Sequence, residues 1–194
     1  MFIKDWKKDL FTIPNMLSLF RLVLIPVYMT VYLNATDLWD YFVAAMILAV
    51  SCLTDMIDGK IARHFNMIST VGKILDPLAD KATQFTLTLC LSIKYPILRF
   101  VLILFVVKEG FMLVMAILKL RKGKMLSGAL MAGKVCTTVL FVSLILLVLM
   151  PGLNEKIVNA IAIIDCGFLA YAFIGYILAY IGKRGEFQDL EQEK

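Results

Sequence analysis

Apolar residues fall into long runs along this chain, and most charged residues gather between them. Runs near the roughly 20 residues that cross a bilayer as a helix recur at about 16–33, 39–59, 72–93, 96–118, 134–151 and 157–181. The pattern predicts an all-α integral membrane protein, one domain over residues 1–194 with six transmembrane helices. Ahead of these runs, residues 1–15 put Phe2, Ile3, Trp6, Leu10 and Phe11 on one side of a helical wheel and Lys4, Asp5, Lys7 and Lys8 on the rest. That is the writing of an N-terminal amphipathic helix lying in the membrane interface. Pro14 breaks it and opens the first long helix, with Asn15 at its start. The basic, glycine-containing stretch 119–133 reads as a mobile loop, and residues 183–194 as a frayed polar tail.

Composition agrees with the periodicity. Of 194 residues, 61% are hydrophobic and 18% charged, and the mean hydropathy of +0.85 excludes an ordinary soluble domain. Asn34, Asp37 and bulky residues follow the first run where a signal peptide would have a small-residue cleavage site, so it reads as a retained helix. Cys52, Cys90, Cys136 and Cys166 stand singly in apolar runs, which suits structural thiols. Lysines and arginines are biased to one side: Lys4, Lys7, Lys8, Lys60, Arg63, Lys119, Arg121, Lys122, Lys124, Lys183 and Arg184, against Lys94, Arg99 and Lys156. The bias predicts a cell-membrane protein with both termini facing the cytoplasm. A net charge of +5 is explained by anionic headgroups, and no pattern for nucleic acid is present.

Residues 55–81, DMIDGKIARHFNMISTVGKILDPLADK, break the apolar rule. Asp55 and Asp58 are three apart and Asp76 and Asp80 four apart, so each pair shares a helical face. Antiparallel packing across the short connection would bring all four to one depth near the cytoplasmic interface. Four carboxylates so placed repel one another and call for positive charge. Oxygen donors without His or Cys select hard cations, Mg²⁺ or Mn²⁺, two per site. Paired hard metals point to phosphate chemistry. Gly59, Gly72 and Ala62 leave room for a bulky ligand against the backbone, and Arg63 offers a fork for phosphate. Either carboxylate pair alone would read as a solvated helix end, whereas both pairs with their glycines and arginine do not.

The string D(x)2DG(x)2AR(x)8G(x)3D(x)3D, carried by Asp55, Asp58, Gly59, Ala62, Arg63, Gly72, Asp76 and Asp80, resembles the signature of the CDP-alcohol phosphotransferases. The resemblance implies transfer of a phosphatidyl group from a CDP-linked lipid to an alcohol, with release of CMP. It implies that Asp55, Asp58, Asp76 and Asp80 hold two divalent ions and that Asp80 is also the general base. Gly59, Ala62, Arg63, Gly72 and Asn15 would receive the CDP donor, and a homodimer is implied as well.

The stretch TIPNMLSLFR, residues 12–21, resembles the opening of the bacterial phosphatidylglycerophosphate synthases and the related cardiolipin synthases. The acceptors that follow are glycerol 3-phosphate first, phosphatidylglycerol second and another alcohol such as inositol phosphate or serine third, with CDP-diacylglycerol and membrane lipids as the other partners. Candidate cations for an acceptor phosphate are Lys108, Arg121 and Lys134, together with Lys122 and Lys124, and Gly133-Lys134 with Thr137 or Thr138 resembles a stretch shared by both groups. Lys108 and Glu109 stand where many of the synthases have an arginine-glutamate pair, but their following serine-glycine-leucine-arginine stretch is missing. An interhelical salt bridge is the structural reading of that pair.

Arg21, one to two turns inside the first helix, should face protein or a polar cavity. Asp165 should hydrogen-bond a neighbouring helix or a dimer partner, and His64 reads as a solvated turn residue. An ion transporter is the competing class, because intramembrane carboxylates often mark ion paths. Its sites favour the bilayer midplane between repeats, and no repeat is evident here.

Overall fold

The computed structural model of the chain describes residues 12–64, 72–121, 124–126, 131–181 and 187–189. They form helices α1 (Ile13–Leu33), α2 (Leu38–His64), α3 (Gly72–Lys94), α4 (Leu98–Leu120), α5 (Met131–Leu149) and α6 (Glu155–Ile181), with short strands β1 (Lys124–Leu126) and β2 (Phe187–Asp189). Two compact units result. The first comprises Met1–Cys90 with Val148–Pro151, the second Leu91–Leu147 with Gly152–Lys194.

Pro14 stands in the first turn of α1, where its missing N–H costs no helical bond. At the other end the backbone and side-chain amides of Asn34 both donate to the Thr30 carbonyl, at 3.2 and 2.7 Å. The chain reverses within a few residues. The Asp40 carboxylate then accepts the N–H groups of Thr36 and Asp37 at 2.9 and 3.2 Å. The carboxylate thus reaches back to cap the start of α2, and the Thr36 N–H foremost holds the Asp40 carboxyl below the usual carboxylate range. α1 and α2 pack closely as a helical hairpin, and Tyr28, Tyr32 and Tyr41 join in a ring cluster with centroids 5.5–5.6 Å apart.

In the second unit, α5 and α6 run antiparallel. Ala132 faces Gly175, Gly133 faces Tyr176, and Ser143 faces Asp165, so numbers rise on one helix as they fall on the other. Phe111 of α4 meets Phe173 and Tyr180 of α6 edge-on, at 5.3 and 6.4 Å. β1 and β2 pair antiparallel, with Lys124 opposite Asp189 and Leu126 opposite Phe187. The stretches expected as a mobile loop and a frayed tail thus supply the two halves of one small ladder.

The structure corrects the expected membrane architecture. Among the described residues, four helices rather than six are long and apolar enough to cross a bilayer: Asn15–Leu33, Leu98–Leu118, Met131–Leu149 and Glu155–Tyr180. In α3 the physical reason is charge, because Lys73, Asp76, Asp80 and Lys81 occupy its first half, while in α2 the described apolar stretch is Leu38–Thr54. Of the interfacial helix expected over 1–15, residues 13–15 belong to α1, and residues 1–11 lie outside the described residues. Several long apolar helices nevertheless suit a multi-pass membrane protein.

Candidate functional site

Three helices of the first unit meet around a small cavity. Leu24, Ile25 and Tyr28 of α1, Ile47, Leu48 and Ser51 of α2, and Thr83, Thr86 and Leu87 of α3 line it. This lining sets the relative depth of the three helices. Along α1 the residue one turn nearer the N-terminus than Leu24 is Arg21. On α2 the position one turn past Ser51 is Asp55, and on α3 the one a turn before Thr83 is Asp80.

α1 meets α3 directly at that level. The Ser18 hydroxyl donates to Oδ1 of Asp76, and Nη1 of Arg21 donates to Oδ1 of Asp80 at 2.5 Å. Partner numbers rise together on the two helices, so α1 and α3 run parallel. Arg21 is 2% exposed and Asp80 49%, so the ion pair is sealed on one side and open on the other. Asn15 and Ser18 are buried on the same helix. A stripe of three polar residues, Asn15, Ser18 and Arg21, at three-residue spacing therefore faces inward from the first three turns of α1. Arg21 does face protein, as expected, but neither its partner nor the part played by Ser18 was read from the sequence.

The other expected site residues divide by element. Asp55, Asp58, Gly59, Ala62 and Arg63 lie on the last turns of α2, and Gly72 opens α3. Their side chains, and residues 65–71 between the helices, lie outside the described residues. His64 is the last residue of α2, where a turn was expected. Among the described residues no group of three or more His, Cys, Asp and Glu comes together. The described part of the carboxylate set is the pair Asp76 and Asp80.

The expected acceptor cations belong to the second unit. Lys108 is buried and its ammonium donates to Glu109 at 2.6 Å. This corrects the interhelical salt bridge, because the partners are adjacent on α4. Arg121 follows α4 and Lys134 lies in the first turn of α5, both exposed. The hydroxyls of Thr137 and Thr138 donate back to the Gly133 and Lys134 carbonyls at 2.8 and 3.0 Å. A Cβ on Gly133 would stand 2.1 Å from the Tyr176 hydroxyl oxygen, so this glycine makes room for a ring of α6. Asp165 is buried and accepts from Ser143 at 2.7 Å, which meets the expectation of a partner on a neighbouring helix. All four cysteines are free thiols.

A family model described as CDP-alcohol phosphatidyltransferase matches residues 11–175, taking in α1, the α2 and α3 carboxylates and most of the second unit. The chain belongs to this family of transferases. Among its relatives are proteins of Escherichia coli strain K12, Escherichia coli O157:H7 and Shigella flexneri serotype 5b, each named CDP-diacylglycerol–glycerol-3-phosphate 3-phosphatidyltransferase and 47% identical over 72 residues. That match covers 37% of this chain and 38% of each relative.

Proposed function

We propose that this chain is an enzyme of phospholipid synthesis that transfers a phosphatidyl group from CDP-diacylglycerol to glycerol 3-phosphate, giving phosphatidylglycerophosphate and CMP. The observation that carries the choice of acceptor is the 47% identity to relatives named for that reaction. The chemistry is supported by an intact signature, Asp55, Asp58, Gly59, Ala62, Arg63, Gly72, Asp76 and Asp80, on helix ends whose depth is set by a common cavity.

The residues fit divalent cations. The donors are carboxylate oxygens from two helices, without His or Cys, and that set suits Mg²⁺ or Mn²⁺. Asp55, Asp58, Asp76 and Asp80 would hold two such ions, and these would neutralise the diphosphate of the donor. Asp80 takes the proton of the acceptor hydroxyl as its oxygen bonds to the lipid-side phosphorus. The bridging P–O bond breaks, and its electron pair leaves with CMP. Gly59, Ala62 and Gly72 leave space for the cytidine diphosphate, Arg63 binds its phosphate, and Asn15 receives the nucleotide end. Arg121 and Lys134 supply positive charge for the acceptor phosphate, and Lys108 contributes with Glu109 as its immediate partner.

The basic residues Lys60 and Arg63 beside Asp58, the run Arg121-Lys122, Lys124 and Lys183-Arg184 put the carboxylates and both termini on the cytoplasmic side of the cell membrane. A lipid donor then arrives laterally from the bilayer and a water-soluble acceptor from the cytoplasm. Two copies of the chain form the functional unit, as the family resemblance implies.

The test is CMP release by purified protein in detergent with CDP-diacylglycerol and Mg²⁺, offering glycerol 3-phosphate and phosphatidylglycerol separately, with Asp80→Asn as background. Release with glycerol 3-phosphate alone is the expected result. Release with phosphatidylglycerol alone would replace the assignment with cardiolipin synthesis, and release with neither would overturn both.

A further inference from the structure

Two inward-facing residues of α1 each grip one oxygen of a different signature carboxylate. Ser18 donates to Oδ1 of Asp76, and Arg21 donates to Oδ1 of Asp80. They are one turn apart on α1 as their partners are on α3, so a single face of one helix contacts both carboxylates. Both donors are buried, at 0% and 2% exposure. Neither belongs to the signature string.

We infer that Ser18 and Arg21 are positioning residues of the reaction, acting through Asp76 and Asp80 to hold them in the geometry that binds divalent cations. This rests on the functional reading above. Groups that hydrogen-bond a ligand carboxylate orient it, and losing one typically weakens metal binding or activity about 10–100-fold. Two opposed effects meet at Arg21. Its Nη1 hydrogen bond orients Asp80, while its positive charge works against a cation nearby. Arg21→Lys keeps the charge and replaces the planar, rigidly aimed guanidinium by a flexible ammonium, so it isolates orientation. Ser18→Ala is neutral throughout and removes only the hydroxyl, which makes its sign unambiguous.

The experiment is a Mn²⁺ titration followed by electron paramagnetic resonance on the purified full chain in detergent. It compares wild type, Ser18→Ala and Arg21→Lys, with thermal unfolding of each in chelator and CMP release alongside. Expected are Mn²⁺ dissociation constants about 10-fold weaker in both variants, metal-free unfolding close to wild type, and kcat lowered more than KM for CDP-diacylglycerol. Mn²⁺ binding and kcat within twofold of wild type in both variants would overturn the inference. So would a fall in metal-free unfolding temperature with unchanged Mn²⁺ affinity, which marks a purely structural role. Wild type that neither binds Mn²⁺ nor releases CMP would overturn the functional reading itself. Wild type that does both beside unaltered variants would remove only this inference.

Discussion

Gly133→Ala separates a packing role from a substrate role at the Gly133-Lys134 step. A Cβ there would stand 2.1 Å from the Tyr176 hydroxyl oxygen, 2.9 Å from Cζ and 3.0 Å from Cε2. Ordinary contact begins near 3.4 Å, so the ring must retreat by more than an ångström. Tyr176 is 3% exposed and stacks on Tyr180 at 6.5 Å, so there is little room to do so. Overpacking of this kind costs about 1–3 kcal/mol, or roughly 2–4 °C of unfolding temperature per kcal/mol for a chain of this size. Tyr176→Phe removes the closest clash, leaving carbon contacts of 2.9 and 3.0 Å that a small ring shift relieves. In a double-mutant cycle read by thermal unfolding in detergent, Tyr176→Phe should return about 1 kcal/mol or more of the loss. The reasoning is refuted if Gly133→Ala unfolds within 0.5 °C of wild type, or if the two substitutions simply add. A raised KM for glycerol 3-phosphate with unchanged unfolding would instead return Gly133 to the acceptor site.

Ser143→Ala should lower stability by about 1–3 kcal/mol, because it strips a hydrogen-bond donor from the buried Asp165 carboxyl. Asp165→Asn, which can still bond the hydroxyl, should cost less, and thermal unfolding in detergent ranks the two. Asp76→Asn should reduce CMP release at least 100-fold with unfolding in chelator little changed, and activity within tenfold of wild type would count against its place among the cation ligands. At the cap of α2, the depressed Asp40 carboxyl contributes stability that is complete above its unfolded value of about 3.9 and is lost as pH falls through the lower folded value. Asp40→Asn should therefore flatten the acid limb of the unfolding curve below about pH 4, and an unaltered limb would contradict this. Lys134→Ala should raise the KM for glycerol 3-phosphate several-fold and leave that for CDP-diacylglycerol in place, as initial rates of CMP release would read.

Local spacing made the carboxylate faces legible. Three- and four-residue intervals put Asp55 with Asp58 and Asp76 with Asp80 on shared faces of a helix, and these positions fall within α2 and α3. The burial of Arg21 was also legible, because a guanidinium on an apolar helix has few affordable environments. Its partner was not: Asp80 lies 59 positions away, and no periodicity within α1 points to α3. The span over α3 was overcounted because hydropathy averaged over about 20 residues hides clustered charge, and the charges in its first half include Asp76 and Asp80 of the signature. The packing role of Gly133 was not legible, because nothing in the sequence near it points to Tyr176, 43 positions away.

Burial and pairing together distinguish the charges that serve the fold from those that serve chemistry. Among the described residues three charged side chains are buried: Arg21, Lys108 and Asp165. Each has a partner, as a charge withdrawn from water requires. Asp165 is met by a neutral hydroxyl 2.7 Å away on the next helix, which ties α5 to α6 where both are long and apolar. Lys108 is met by the adjacent Glu109, itself 21% exposed. Only the third pair joins a sealed guanidinium to a carboxylate that is half open, Asp80 at 49%. A structural ion pair gains nothing from that asymmetry, since exposure weakens the attraction through solvent screening. A carboxylate that must meet a cation or a substrate hydroxyl needs one accessible side, and a rigid charged neighbour on the other keeps it aimed. The asymmetry of the Arg21 and Asp80 pair therefore suits the cation site proposed for Asp80, at the helix level of the other signature positions.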